Sequence, residues 1–286
     1  MKKVFKIIGW SLLTIIILLG TALGLFIYKV KNGFPVSYET EKPSIDFPDN
    51  QKAVLVFSKT TGFRHSASIY ASKPILKQLA QKNNWFIYET EEGGVFNPEQ
   101  LAKFSTVIFD NSTGEVINDE QKRALEQYVE NGGGLIGIHG AGDDSHHWDW
   151  YEQNLLGAKF SHHALAQQFQ TADIQKDNKA DSAVINGLAS SWKHADEWYV
   201  FFENPRAKGF NIIYFMDGDK IDTNGSIPIL ASNKNFGMGK DHPLAWCKSI
   251  GKGKTFYTSL GHNEVAWKNE NFVKLIENAI SWTQKK

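Results

Sequence analysis

The sequence predicts an α/β domain with a mostly parallel central sheet, preceded by one N-terminal transmembrane helix. An uncharged apolar run of 22 residues, Ile7 to Tyr28, lies near the start of the chain. Short continuous apolar runs then alternate with stretches of helical period, an alternation typical of a parallel sheet covered by helices. No internal repeat or low-complexity tract interrupts this pattern.

The first predicted element is a membrane anchor over residues 1–31. The apolar run is long enough to cross a bilayer core of ~30 Å. Three lysines precede it, so the positive-inside rule predicts a single-span protein of the inner membrane whose domain faces the periplasm. Two lysines on the far side oppose this orientation. A cleaved signal peptide is the alternative, with Ala22 to Gly24 as a weak cleavage site.

Residues 32–50 are predicted as an extended linker, and residues 51–286 as one globular domain. The linker contains three prolines and shows neither a helical nor an alternating period. The composition turns globular at Gln51 and stays so to the end, over a length that fits one α/β domain. The sequence does not define the oligomeric state.

Charge and cysteine content exclude two classes of function. All five basic residues up to Lys31 precede the first acid, Glu39, so the remainder carries 26 basic and 31 acidic residues, a balance of −5. Such a domain lacks the basic surface of a nucleic-acid-binding protein. Cys247 is the only cysteine, which excludes an intramolecular disulfide and a cysteine-rich zinc site.

The strands and helices of the domain follow from local patterns. Continuous apolar runs predict strands buried on both faces. Asn97 and Asn118 are each followed three residues later by glutamine, a spacing that predicts a capped helix start. The predicted strands are Ala53–Ser58, Thr106–Asp110, Gly134–His139, Phe210–Met216, Pro243–Ser249 and Lys254–Ser259, and a final helix starts at Asn271.

Polar residues follow four of these strands at their carboxyl ends. The segments are "SKTTGFRHS", "DNSTGE", "HGAGDD" and "LGHNE". In an open parallel sheet, ligands bind outside the carboxyl ends of the strands. Four strand ends with polar residues therefore predict one site at that edge of the sheet.

Five motifs resemble the trehalose-utilisation (ThuA-like) family: "KTTGFRH", "GGGLIGIHGAGDD", "DEWYVFFENPR", "DHPLAWC" and "GKTFYTSLGHNEVAW". They occur in the family's order and cover the chain from Ala53 to Trp282. The resemblance implies a flavodoxin-like sandwich similar to the class I glutamine amidotransferases. It also implies a role in the utilisation of disaccharides or other glycosides.

The resemblance gives His139 a special position. Glutamine amidotransferases carry a cysteine nucleophile on a sharp turn after a strand, with glycines around it. In "GIHGAG" that position is His139, and Cys247 lies in a predicted strand, so a thiol-dependent amidotransferase is excluded. A histidine at this turn can act as a general base or a metal ligand. It can also simply form a hydrogen bond within the turn.

The candidate site residues come from the same strand ends and motifs. His139, His65 and Asp143 are the catalytic candidates. Imidazole and carboxylate ligands together suit zinc, manganese, iron or nickel, but no short motif such as HExxH is present, so a metal site requires convergence in the fold. The metal-ligand candidates are His139, Glu197, Asp241 and His242.

Aromatic residues near the motifs favour a sugar as the small-molecule partner, because flat rings offer stacking faces to a pyranose. The adjacent pairs His146–His147 and His162–His163 are interpreted as solvated or locally bonded histidines, although His147 and the second pair could flank the cleft. The predicted substrate-binding residues are Thr60, Arg64, Trp148, Glu197, Trp198, Trp246 and His262.

The leading functional hypothesis is an enzyme, a lyase or hydrolase that acts on glycosides oxidised to a 3-keto sugar. A ketone at C3 acidifies the neighbouring C–H bonds, so a base can start an elimination of the glycosidic group. The alternative is a non-catalytic sugar-binding or scaffold module that uses the same cleft. The sequence does not identify the substrate or a metal.

Overall fold

A computed structural model describes residues 2–32, 36–180, 183–227 and 232–284. Its α-helices are α1 (Lys2–Asn32), α2 (Ser66–Asn83), α3 (Pro98–Leu101), α4 (Asp119–Glu130), α5 (Asp149–Tyr151), α6 (Glu264–Trp267) and α7 (Glu270–Thr283). Its strands are β1 (Lys52–Phe57), β2 (Trp85–Thr90), β3 (Phe104–Asp110), β4 (Gly134–Ile138), β5 (Phe160–His163), β6 (Phe169–Lys176), β7 (Ser191–Glu197), β8 (Tyr199–Phe201), β9 (Asn211–Met216), β10 (His242–Ile250) and β11 (Gly253–Thr258).

The central sheet has the strand order β2-β1-β3-β4-β11-β10-β9-β6-β7. The first five of these strands are parallel to one another, and each remaining strand pairs antiparallel to its neighbour. Strands β5 and β8 form a separate antiparallel pair. The predicted α/β class with a central parallel sheet is therefore confirmed, and an antiparallel extension widens the sheet at one edge.

The sheet is buried on both faces, which explains the continuous apolar runs. Within β1, Val54 and Val56 belong to one hydrophobic core and Leu55 and Phe57 to the other, because successive side chains of a strand point to opposite faces. Helices α2 and α7 contribute to the first core, and α3 and α4 to the second. The predicted caps are present: the side chains of Asn97 and Asn118 accept backbone N–H groups three residues later.

The N-terminal helix α1 is a compact unit of its own together with the residues up to Ser37. Its segment Lys3–Phe26 is long and apolar enough to cross a membrane, and none of that segment is buried inside the protein. A signal sequence near the N-terminus has the same length and composition. The structure thus shows one apolar helix that fits either a membrane span or a signal sequence.

The second compact unit starts at Tyr38. Residues 38–49, here called the strap, lie within the segment predicted as a linker and form contacts with the rest of this unit. The Glu39 carboxylate accepts hydrogen bonds from Lys59 (2.6 and 2.8 Å) and its carbonyl accepts one from Gln121 (2.7 Å). Phe47 lies edge-on to Phe104, with ring centroids 5.1 Å apart. The strap is therefore part of the folded domain.

Candidate functional site

Four side chains converge where the strands β1, β4, β7 and β11 end. His65 follows the loop after β1, His139 directly follows β4, Glu197 is the last residue of β7, and His262 follows β11. One nitrogen or oxygen from each of these side chains lies within 4.8 Å of the others. His65, His139 and Glu197 are buried, and His262 is partly buried. We call this group the His/Glu cluster.

The distances within the cluster suit a metal ion. Nε2 of His139 lies 3.1 Å from Nδ1 of His262 and 3.3 Å from Oε2 of Glu197, and the last two atoms are 3.0 Å apart. Ligands bonded to zinc at 2.0–2.1 Å in a tetrahedron would be separated by about 3.3 Å. These three ligand atoms are thus already close to the spacing of a metal site, and His65 is the fourth candidate ligand.

His139 is held by an unusual backbone and by two hydrogen bonds. Its φ of 43° lies in the left-handed region, which bulky residues rarely adopt. The hydroxyl of Tyr257 donates to its carbonyl (2.8 Å), and its own Nδ1–H donates to the Ser259 carbonyl (2.7 Å). In the neutral imidazole, a proton on Nδ1 leaves the lone pair on Nε2, the atom that faces the cluster and would bind a cation in place of its present contacts with His262 and Glu197.

His65 is buried as a neutral imidazole. It occupies the cap position before α2, and its Nδ1 has no hydrogen-bond partner in the described structure. Burial, together with the charges of the nearby His139 and His262, lowers the pKa of His65 to about 2. A β-carbon on Gly140 would lie 2.8 Å from that Nδ1, so the glycine of the turn permits the close approach. A buried neutral imidazole with an unpaired nitrogen is well suited to metal binding.

Glu197 carries the negative charge of the cluster. Burial alone would raise its pKa, but hydrogen bonds and charge interactions with His139 and His262 outweigh burial and place the pKa far below the ordinary value. Burial alone would lower the pKa of His139, but the hydrogen bond and charge of Glu197, with the charge of Asp196 and the bond to Ser259, outweigh burial and raise it. Its second oxygen, Oε1, accepts a hydrogen bond from Gln168 (2.5 Å) and lies 3.3 Å from Nδ1 of His163.

The buried carboxylate of Asp196 fixes the loop that carries His262. It accepts the backbone N–H groups of Gly261 (2.8 Å) and His262 (3.2 Å), and also that of Glu197 (2.9 Å). Nε2 of His194 lies 3.4 Å from Oδ2 of Asp196, the oxygen that accepts the Gly261 N–H. Burial raises the pKa of Asp196, but the bond to His194 and the charge of His139 outweigh burial and lower it. Asp196 is thus a positioning residue for two members of the cluster.

A cavity of about 500 Å³ opens over the cluster, a size typical of small-molecule sites. His65, Glu197 and His262 form part of its wall, together with Asp143. Another cavity, of about 610 Å³, is lined by residues at the opposite end of the sheet, such as Phe104 and Gly133. No predicted site residue lines that cavity, so the candidate site is the cavity over the cluster.

Asp143 lines the cavity without belonging to the His/Glu cluster. Burial raises the pKa of Asp143 to about 6, although hydrogen bonds from Ser145 act in the opposite direction. A carboxylate whose pKa lies near neutrality can accept a proton from a substrate and release it again. Asp143 is therefore chemically suited to act as a general base in this cavity.

The structure places four other predicted residues outside the cluster. Arg64 forms a two-pronged ion pair with Glu91 (2.7 and 3.2 Å) and donates to Thr60 (3.3 Å), and neither Arg64 nor Thr60 lines the cavity. Asp241 forms an ion pair with Arg206 (2.9 Å). Nε2 of His242 donates to the Tyr199 carbonyl (2.9 Å), which places this histidine behind the cavity wall. The structure therefore does not bring the proposed ligands Asp241 and His242 to the cluster.

Of the three tryptophans predicted as sugar contacts, Trp198 and Trp246 lie in the hydrophobic cores, and Trp148 is partly buried against the second core. The indole N–H of Trp198 donates to the Gln170 carbonyl, and that of Trp246 to the Leu156 carbonyl. Trp148 stacks on Trp150 and Tyr151. None of the three lines the cavity; its aromatic wall consists of Phe63, Phe160 and Tyr199.

Sequence patterns missed several residues of the site. His162 and His163, interpreted as solvated or locally bonded histidines that could flank the cleft, are locally bonded and do line the cavity, and His163 contacts Glu197. Gln168 and Lys234 also line it. These residues come from the β5 segment and from loops before β6 and β10. No local sequence pattern indicates that these segments fold back to the carboxyl ends of the central strands. For Asp196, the one sequence signal of a role in the site was its position next to Glu197 in the "DEW" motif.

Comparison with known proteins agrees with this architecture. The family model for trehalose utilisation matches residues 53–283. A ThuA-like protein from Bacteroides uniformis ATCC 8492 superposes with a TM-score of 0.66 at 23% identity, over 88% of this chain and 95% of that one. For a ThuA-like protein from Parabacteroides merdae ATCC 43184 the TM-score is 0.60 at 19% identity, over 82% and 90%. A comparison with curated protein sequences gives no match.

These matches confirm the resemblance predicted from the five motifs. The two structures share less than a quarter of their residues with this chain, so they show the fold alone. The family match, by contrast, extends over the whole sheet and includes all four members of the His/Glu cluster. The chain therefore belongs to the trehalose-utilisation (ThuA-like) family.

Proposed function

We propose that this protein is an enzyme of carbohydrate utilisation that cleaves 3-keto glycosides by base- and metal-assisted elimination. The observation that carries the proposal is the convergence of three histidines and one glutamate, three of which (His65, Glu197 and His262) form part of the wall of a cavity of about 500 Å³. Strained backbone at His139 supports it, because such strain concentrates at functional sites. Family membership supports a sugar as the substrate.

The reaction needs one base and one group that stabilises negative charge. In a 3-keto glycoside the proton on C2 is acidic, because the electron pair it leaves behind is delocalised onto the C3 oxygen. When the ketone re-forms, that pair makes the C1–C2 double bond and the C1–O bond breaks. The aglycone leaves with the electrons of that bond and takes up a proton. Neither oxidant nor reductant is consumed.

The residues present can supply both requirements. Asp143 has the position and the raised pKa of a base that accepts the C2 proton and returns it to the leaving oxygen. His65, His139, Glu197 and His262 are the residues that would hold a divalent cation. A cation bound there supplies Lewis-acid stabilisation of the charge that develops on the C3 oxygen. Imidazole with carboxylate suits zinc, manganese, iron or nickel.

The first test is the metal content of the full-length protein. We expect near-stoichiometric metal in the wild type and its loss in His262→Ala, measured by elemental analysis. His146→Ala is the matched control, because His146 is buried outside the cluster and bonds to the Ser112 carbonyl (3.0 Å). Absence of metal from the wild type after growth with ample supply would instead favour a metal-free base or a sugar-binding module.

The second test separates the base from the metal. Asp143→Asn should retain the metal but lower the turnover of 3-keto glycosides by roughly 10²–10⁴-fold, the usual contribution of a general base. The released aglycone can be followed by chromatography. If Asp143→Asn turns over substrate at the wild-type rate, the proton is removed by another group.

A further inference from the structure

Exposed apolar side chains surround the mouth of the cavity. Among the described residues outside α1, the exposed large apolar side chains are Phe63, Tyr70, Leu165, Phe169, Phe202, Ile227 and Val265. Phe63, Leu165 and Ile227 line the cavity although they are 68%, 47% and 41% exposed. We call these three residues, together with Phe169, the apolar rim.

Phe169 continues the rim on the side of the His/Glu cluster. Half of its surface is exposed, and its ring lies edge-on to that of His262, with centroids 5.0 Å apart. Phe63 has the same relation to His65, at 4.9 Å. Two exposed phenylalanines thus stand directly against two histidines of the cluster. Exposed apolar side chains grouped at the mouth of a cavity are typical of ligand-binding grooves.

The wall beneath the rim carries charged and polar groups that the rim lacks. Besides the rings of Phe160 and Tyr199, the wall presents imidazoles and the carboxylates of Asp143 and Glu197, whereas the rim presents two phenyl rings and two aliphatic side chains. Leu165 and Ile227 have no ring face on which a pyranose could stack. The complementary ligand is therefore amphipathic, with a polar end at the cluster and an apolar end at the mouth.

We infer that the apolar rim binds an aromatic or aliphatic aglycone, so that the substrates are glycosides of apolar alcohols rather than disaccharides. This inference rests on the proposed function, which places the sugar ring at the cluster. The group attached at C1 then extends toward the mouth, where Phe63 and Leu165 cover it. Burial of a phenyl group against this rim should strengthen binding by roughly tenfold.

The test compares two ligands that differ only at the aglycone. Phenyl glucoside and methyl glucoside, each as both anomers, are titrated calorimetrically into the full-length protein in lipid nanodiscs, with empty nanodiscs as the blank. The rim variants are Phe63→Ser and Leu165→Ser. Tyr70→Ser is the matched control, because Tyr70 is also 68% exposed but does not line the cavity.

We expect the wild type and Tyr70→Ser to bind phenyl glucoside about tenfold more tightly than methyl glucoside, and the rim variants to lose this preference. Equal affinity for both ligands, no binding of either, or an unchanged preference in both rim variants overturns the inference. Turnover of the 3-keto forms is measured in parallel. Turnover of the 3-keto forms without a phenyl preference would support the proposed reaction and reject the rim as an aglycone site. A phenyl preference without turnover would support the aglycone site and reject the proposed reaction.

Discussion

Among single residues, His139 combines a functional side chain with a costly backbone conformation. A left-handed φ costs an L-residue roughly 1–2 kcal/mol, whereas glycine adopts it freely. Glycine also makes the unfolded chain more flexible, which lowers stability by about 0.4–1 kcal/mol. His139→Gly should therefore unfold with a free energy about 0.5–1 kcal/mol higher than His139→Ala, measured by urea denaturation.

The comparison isolates the backbone because both variants lack the imidazole. Any metal lost with the ring is lost from both, so their difference does not depend on the proposed metal site. An alanine variant as stable as the glycine variant would show that the backbone relaxes once the ring is removed. The left-handed φ of the wild type would then be imposed by the hydrogen bonds of the imidazole, and the backbone of this turn would not require it.

Asp196 is a residue that acts through others. Its carboxylate accepts three backbone N–H groups, two of them from the loop that presents His262. Asp196→Asn keeps the size of the side chain but removes the charge, and should weaken metal binding by about 10–100-fold, as is usual for residues that orient ligands. Competition with a chromophoric chelator measures the affinity.

Asp173→Asn is the control for that experiment, because Asp173 lies on β6, outside the cluster, and its carboxylate forms an exposed ion pair with Lys193 (3.6 Å). A purely structural role for Asp196 would lower the unfolding temperature and leave the chelator competition unchanged. Such a result would remove Asp196 from the site and leave the assignment of the four cluster residues intact.

Among the secondary-structure elements, α7 is tied to the end of α2 by one carboxylate. Glu277 of α7 accepts hydrogen bonds from Asn83 (2.9 Å), Lys82 (3.1 Å) and Lys274 (3.2 Å). Burial alone would raise its pKa, but these bonds outweigh burial and lower the pKa from 4.5 to about 2. A carboxylate whose pKa is lower in the folded state stabilises that state fully when the pH is above the pKa of the unfolded state. This contribution is lost as the pH falls through the pKa of the folded state.

Glu277→Gln should therefore be less stable than the wild type by about 1–2 kcal/mol at pH 7, since solvent screens the two lysines, whose side chains are 63% and 39% exposed. The difference should shrink between pH 4.5 and pH 2, where Glu277 becomes protonated in both states. Urea denaturation across this range measures it, with the exposed α4 substitution Glu120→Gln as control. A difference that is constant with pH would mean that Glu277 contributes through packing alone.

Local signals predicted the elements well because each signal acts within a few residues. The Asn118–Gln121 spacing predicted the capping box that starts α4, and the apolar runs predicted β1, β3 and β4. The ends of parallel strands meet by geometry, which is why His65, His139 and His262 could be predicted to lie together. Glu197 joined them only through the resemblance, since β7 belongs to the antiparallel extension at the other edge.

The tertiary partners of a side chain were beyond prediction. A tryptophan near a motif has the same sequence context whether it lines a cavity or fills a core, and Trp198 and Trp246 fill cores. Asp241 is a carboxylate next to a histidine in the sequence, which suggested a metal ligand. In the fold it forms an ion pair with Arg206, which comes from a turn distant in the sequence. The strap contains prolines and no periodicity, so nothing in its sequence indicated that Phe47 packs against the domain.

At the scale of the whole molecule, the role of the apolar helix α1 determines the cellular compartment in which the domain works. We propose a single span in the inner membrane with the domain in the periplasm, because the uncharged run Ile7 to Tyr28 is preceded by three lysines. In a Gram-negative host the chain should resist carbonate extraction from membranes and retain that run by intact-mass analysis. Protease added to spheroplasts should digest the domain while a cytoplasmic marker survives. A soluble periplasmic chain that lacks the first 24 residues would instead identify α1 as a cleaved signal sequence, and the cavity would then work in free solution.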